Sequence, residues 1–173
     1  MGFSESTSMI LVFFFGLLIS SSYAIQQQKS RSHNAIKQFV TLQNRARAAI
    51  RMPPLAWDPR LARYASMYAR QRRQDCQLKH SNGPYGENIF WGSGSRWNPS
   101  QAAAIWVSEG RWYNHQLNSC NGGKECGHYT QIVWKRSRRI GCARVTCFRG
   151  RGVFMICNYD PPGNYVEYEK AVN

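Results

Sequence analysis

Six cysteines, at positions 76, 120, 126, 142, 147 and 157, constrain this chain of 173 residues more than any other feature. Whether they act as staples or as metal ligands depends on the compartment. Met9 to Ile19, "MILVFFFGLLI", is an uncharged apolar run, too short for a membrane span of about 20 residues. Small residues at Ser22 and Ala24 follow it. Residues 1–24 therefore read as a secretory signal peptide cut after Ala24, although its opening lacks Lys or Arg and carries Glu5. "MGFSES" also fits myristoylation at Gly2, but the apolar run explains the segment better. In a secreted chain, six cysteines imply three disulfides, with fifteen pairings open. No C-x₂-C or H-x₃-H pair marks a compact zinc site.

Residues 25–173 are long enough for a single domain with its own core. The whole chain carries 23 basic and 9 acidic residues, a formal charge of +14; losing Glu5 with the leader raises this to +15. Such a chain is drawn to anionic surfaces, either cell wall or membrane. No nucleic-acid motif is present and nucleic acid is not expected as a partner; a monomer is expected. The excess of Arg over Lys favours pairing with carboxylate or phosphate.

The spacing predicts a first helix over about 35–50, stopped by "MPP" at Met52 to Pro54. A second opens at "WDPR", with Asp58 as N-cap and Pro59 at N1, and buries Leu61, Ala62, Ala65, Tyr68 and Ala69. A third starts at "NPSQ", again with Pro at N1. "ENIFW" reads as a strand, "CGHYTQIVW" as a short helix, and "RRIGCARVTC" and "GVFMICNY" as two strands joined by "FRGRG". Helices and antiparallel strands mix without a βαβ rhythm, which gives an α+β class.

Within "QAAAIWVSEG", helical spacing puts Ala102, Ile105, Trp106 and Glu109 on one inward face. A carboxylate sent inward needs partners. His80, Glu87 and His128 are the polar residues placed to supply them, and the four form a candidate cluster. His33 and His115 read as ordinary surface residues. Imidazole and carboxylate suit Zn²⁺ or another divalent metal, while no cofactor is obligatory. Ser81 and Ser108 merely adjoin the cluster, so no positioned nucleophile is visible and an enzyme is not expected. Tyr85, Phe90, Trp91, Trp97, Trp112 and Tyr113 crowd the same segments and are candidates for contact with a lipid.

"HSNGPYGENIFWG", "WVSE", "CGHYTQIVW", "GCARVTC" and "CNYDPPGNY" stand in this order from about Phe39 to Tyr165. They resemble the plant pathogenesis-related protein 1 family of the CAP superfamily (cysteine-rich secretory proteins, antigen 5, pathogenesis-related 1). That resemblance implies a three-layer α–β–α sandwich with a central antiparallel sheet. It places a cleft tetrad on His80, Glu87, Glu109 and His128, and pairs Cys76 with Cys147, Cys120 with Cys126 and Cys142 with Cys157. It further implies a protein secreted to the apoplast (or held in the vacuole) that binds sterols or related lipids and inhibits fungi and oomycetes. The alternative is a precursor whose C-terminal peptide, residues 161–173, is released between Asp160 and Pro161; a metal-dependent hydrolase is a third reading. The chain departs from the family at Gln43-Asn44, where His-Asn is common, and at Lys170-Ala171, where a released peptide would end in Pro-Tyr.

Overall fold

The computed structural model describes residues 5–164, with side chains from Tyr23 onward. It divides into two compact units, 1–35 and 36–173. Helix α1 (Glu5–Ala49) starts well before the expected position. Its sequence holds no proline, so nothing in the polar lead-in halts the backbone ladder. The end of α1 presents Phe39, Gln43 and Arg47 to the core.

Strand β1 (Ala56–Trp57) leads into α2 (Pro59–Arg72). The Asp58 side chain accepts the N–H groups of Arg60 and Leu61, as an N-cap should. Then come β2 (Gly86–Ser93) and α3 (Pro99–Ser108), the latter opened by a reciprocal capping box of Asn98 and Gln101. A 3₁₀ turn (Glu109–Trp112) leads to the small hairpin β3 (Tyr113–Asn114) and β4 (Ser119–Cys120). Helix α4 (Gly127–Ile132), β5 (Arg139–Thr146) and β6 (Gly152–Asp160) complete the described chain.

The main sheet has the order β1-β5-β6-β2. β5, β6 and β2 are antiparallel, as expected, while β1 adds a two-residue parallel edge that makes the sheet mixed. Alternation along β6 builds the layers. Val153, Met155, Cys157 and Tyr159 face a core shared with Phe39, Trp106 and Ile132, whereas Phe154 and Ile156 face Ala65 and Ala69 of α2. The strand is buried on both faces, so it reads as one continuous apolar run. At Gly141 of β5, a Cβ would stand 2.1 Å from the Ala62 nitrogen, which is why α2 can lie so close to the sheet.

Helix α3 corrects one expectation. Ala102 and Trp106 face inward, but Ile105 is 43% exposed and Ala103 takes the inward place. The disulfides are Cys76–Cys147, Cys120–Cys126 and Cys142–Cys157.

Candidate functional site

The four candidate residues assemble as two histidine–glutamate pairs. His80 lies in the loop after α2, and its Nδ1 is 2.7 Å from Glu87 Oε1 at the start of β2. Ser81 donates its N–H to the same oxygen at 3.0 Å and its hydroxyl to Oε2 at 2.6 Å. Asn158 of β6 adds a fourth donor at 3.3 Å. Burial pushes the Glu87 carboxyl up, but the hydrogen bonds from His80 and Ser81 together hold it below its ordinary value. The bond to Glu87 in turn raises the His80 imidazole, against the opposing effect of burial.

The second pair explains why a helix ends on an inward carboxylate. Glu109 sits at the junction of α3 and the 3₁₀ turn. Its Oε2 accepts the N–H groups of His128 and Tyr129 at 3.0 and 3.2 Å, and its Oε1 lies 2.6 Å from His128 Nδ1. These are the first amides of α4, whose own N-cap position, Cys126, supplies no side-chain bond. Glu109 therefore caps a neighbouring helix from outside it, meeting orphan donors that would otherwise be unpaired. The Trp106 ring stacks on His128 with centroids 5.9 Å apart.

The pairs adjoin through β2, where Asn88 donates to the His128 carbonyl at 3.0 Å. A partly open cavity of about 300 Å³ lies beside the first pair. His80, Ser81, Tyr85, Glu87, Gln131 and Gly163 are among its walls, whereas Glu109 and His128 do not line it. Among the described residues, no three His, Cys, Asp or Glu side chains stand close enough to hold a metal. Each carboxylate is instead consumed by its own imidazole and neighbouring donors. Because each imidazole gives Nδ1 to a carboxylate, its Nε2 is the atom left for a ligand, the arrangement usual for a metal-binding histidine.

The aromatic candidates are dispersed. Tyr85 borders the cavity and meets Tyr64 edge-on. Phe90 and Tyr113 belong to the core. Trp97 packs on Phe90 and covers Gly92, and Trp91 is 42% exposed. Trp112 lies beneath the cations of Arg111 and Lys124. His115, expected on the surface, is half-buried between Tyr113 and Tyr129, and its Nδ1 is buried without a partner. Its neighbours are tyrosine rings, a packing that polarity alone does not signal.

Sequence reasoning missed the polar chain behind the pairs. The Tyr159 hydroxyl donates to Gln43 Oε1 at 2.7 Å and accepts from Asn88 at 3.1 Å. Arg47, fully buried, donates to the carbonyls of Pro53, Ile132, Trp134 and Ser137. Their spacing on α1 places Gln43 and Arg47 on its inward stripe, and Gln43 is also where the chain departs from the family's common His-Asn. Asp160 ends β6 in an ion pair with Arg139. Beyond it, Ser137 donates to the Pro161 carbonyl and the Gly163 amide to Gln131, while residues 165–173, including Lys170 and Ala171, lie outside the described residues.

A family model described as the cysteine-rich secretory protein family, CAP, matches residues 40–159. Pathogenesis-related protein PR-1 of Medicago truncatula is 55% identical over 147 residues, covering 85% of each chain. Pathogenesis-related protein PRMS of Zea mays is 48% identical, covering 92% of this chain and 95% of its own. Among solved structures, the zinc complex of NaASP2 superposes with a TM-score of 0.62 at 26% identity, over 76% of this chain and 81% of that one. MpPR-1i shares the fold at a TM-score of 0.54 and 23% identity, over 79% of this chain and 93% of that one. The sandwich, the three bridges and these likenesses agree, and the chain belongs to the cysteine-rich secretory (CAP) family, in its plant pathogenesis-related 1 branch.

Proposed function

We propose that this chain is a secreted plant defence protein that restrains fungi and oomycetes by capturing a sterol or related lipid, without turnover. The likeness to plant pathogenesis-related 1 proteins across most of the chain carries this reading. The chemistry of the cavity supports capture over catalysis. Ser81 gives its hydroxyl to Glu87 rather than to a histidine, so no serine–histidine nucleophile is built there. A carboxyl held low is also a poor general base near neutral pH. The Tyr85 wall offers apolar surface with a polar tip to a sterol, whereas the exposed Trp91 lies outside the cavity. Purified protein titrated with a fluorescent sterol should show saturable binding that Tyr85→Ala weakens and Trp91→Ala, outside the cavity, does not. No binding, or equal binding by both variants and the parent, would refute the ligand class and site respectively.

Because both carboxylates are already committed to their own imidazoles, the atoms left to offer a divalent metal are the two imidazole Nε2 atoms. His80 and His128 would hold it through Nε2, with Glu87 and Glu109 orienting the rings from behind. Such an ion would polarise a bound oxygen. Calorimetry with zinc chloride should show binding lost in both His80→Ala and His128→Ala; retention in either removes the two-histidine site.

A second reading treats the scaffold as the precursor of a peptide released between Asp160 and Pro161. Pro161 is exposed and follows the last strand, so cleavage there removes no strand from the sheet. Synthetic peptide 161–173 applied to plant tissue should then elicit a defence response, and an inert peptide rejects this reading.

A further inference from the structure

The outward face of α2 carries positive charge that the cavity and its two pairs do not use. Arg60, Arg63 and Arg70 are exposed there, with Met67 between them at 60% exposure. At 1.5 Å per residue, the three arginines span about 15 Å along one side of the helix. No acidic residue occurs within α2. Among the described residues, Arg63 and Arg70 have no ion-pair partner, and Arg60 approaches only the capping Asp58, at 3.9 Å, with its side chain 78% exposed.

The stripe continues past the helix end. The Phe148 amide donates to the Arg73 carbonyl at 2.8 Å, Arg151 donates to the Gln74 carbonyl at 2.6 Å, and Cys76–Cys147 locks the turn to the helix. The turn that carries Arg149 and Arg151 is thereby held against Arg73 and Gln74, just past the end of α2. Phe148 is 52% exposed beneath the Arg149 guanidinium. Asp75 is the acidic residue in this part of the chain, and Arg72 already pairs with it at 3.1 Å.

We infer that this face binds a linear acidic polysaccharide, a polyuronate bearing one carboxylate per sugar. Guanidinium forks match carboxylates in a two-bond geometry that lysine cannot reproduce, and every charge in the stripe is arginine. Met67 and Phe148 give sugar faces an apolar rest between the charges. A lipid bilayer fits less well. An interfacial helix must bury an apolar side in the membrane, and the apolar side of α2, through Leu61, Ala65 and Ala69, is already buried in the protein. This inference goes beyond lipid capture: it assigns a separate surface that would concentrate the protein on an acidic wall.

The test uses polygalacturonate as probe, with the triple variant Arg60→Gln, Arg63→Gln, Arg70→Gln. Glutamine keeps helix propensity close to that of arginine. A control triple, Arg45→Gln, Arg51→Gln, Arg96→Gln, removes the same charge from exposed positions elsewhere. Circular dichroism and melting establish that all three proteins fold. Binding by the parent should fall steeply with added sodium chloride. The stripe variant should lose about tenfold in affinity and the control no more than about threefold, because only the former removes paired contacts. Equal losses in the two triples would reduce the effect to net charge and overturn the inference. So would binding to vesicles of phosphatidylserine and phosphatidylcholine with none to polygalacturonate. Sterol binding measured on the same proteins should not distinguish the stripe variant from the parent, so failure of lipid capture and failure of this site are told apart.

Discussion

Arg47 shows how a single polar residue organises several segments. Its guanidinium is fully buried, and burial, with Arg138 adding repulsion, lowers its pKa to about 10, so it stays charged at neutral pH. It reaches four carbonyls, one from the turn after α1 and three from the last residue of α4 and the loop that follows it. Arg47→Ala strands those acceptors in the core, at an expected cost of about 3 kcal/mol or more. Arg47→Lys should recover only part of this, because an ammonium cannot copy the fork. Urea unfolding checks both; an unchanged midpoint for Arg47→Ala would show that the loop carbonyls find other donors. His80 and Glu87 give a second prediction, in pH. His80 is raised above 6.5, so its stabilising contribution is complete below that value and fades as pH climbs through the raised one. Glu87 is lowered from 4.5, so its contribution is complete above 4.5 and fades as pH drops through the lowered value. The pair should therefore stabilise most between about 4.5 and 6.5. Melting temperatures across pH 3 to 9 should show a shallower rise into that window for Glu87→Gln than for the parent. Parallel curves would mean that the pair contributes nothing to folding.

At the scale of elements, Glu109 belongs to α4 as much as to α3. Glu109→Ala leaves the His128 and Tyr129 amides without their acceptor, with an expected loss of about 1–2 kcal/mol. Glu109→Gln keeps one acceptor oxygen and should lose less. Hydrogen exchange at those two amides should accelerate in the alanine variant before exchange in β6 does; unchanged exchange would deny the cap. The cap was only half legible in the sequence. Helical spacing correctly turned Glu109 inward, yet nothing local to "WVSE" names amides nineteen and twenty residues away. The starts of α2 and α3 were legible because Asp58-Pro59 and Asn98-Pro99 are local signals. Ile105 is exposed and Ala103 buried, against the expected inward place of Ile105, and hydrophobicity does not encode which of two apolar residues a packed face admits. The early start of α1 was missed because polar residues at 25–34 mark exposure, not the end of a helix. The four candidate residues stand as two separate pairs, a division that depends on donors such as Ser81 that no spacing rule selects.

On the scale of the whole molecule, the bridges differ in how much chain they restrain, and this orders their effects. Cys76–Cys147 spans 71 residues and ties the end of α2 to the turn between β5 and β6, across the intervening β2, α3 and α4. Cys120–Cys126 spans only 6 residues. A bridge acts largely by restricting the unfolded chain, and its effect grows slowly with loop length. Loss of the long bridge should thus cost about 4 kcal/mol and loss of the short one about 2. Cys142–Cys157, at a separation of 15, joins directly opposed residues of β5 and β6, which the sheet already holds in register. Its removal also opens space in a core where Cys157 is fully buried, so packing loss adds to the entropic effect. The cleaner comparison is between Cys76→Ala with Cys147→Ala and Cys120→Ala with Cys126→Ala, melted without reductant. The first pair should lower the melting temperature more. The reverse order would mean that the short loop beside α4 contributes native-state contacts outweighing the restraint of half the domain, and that α2 is held to the sheet by its own packing alone.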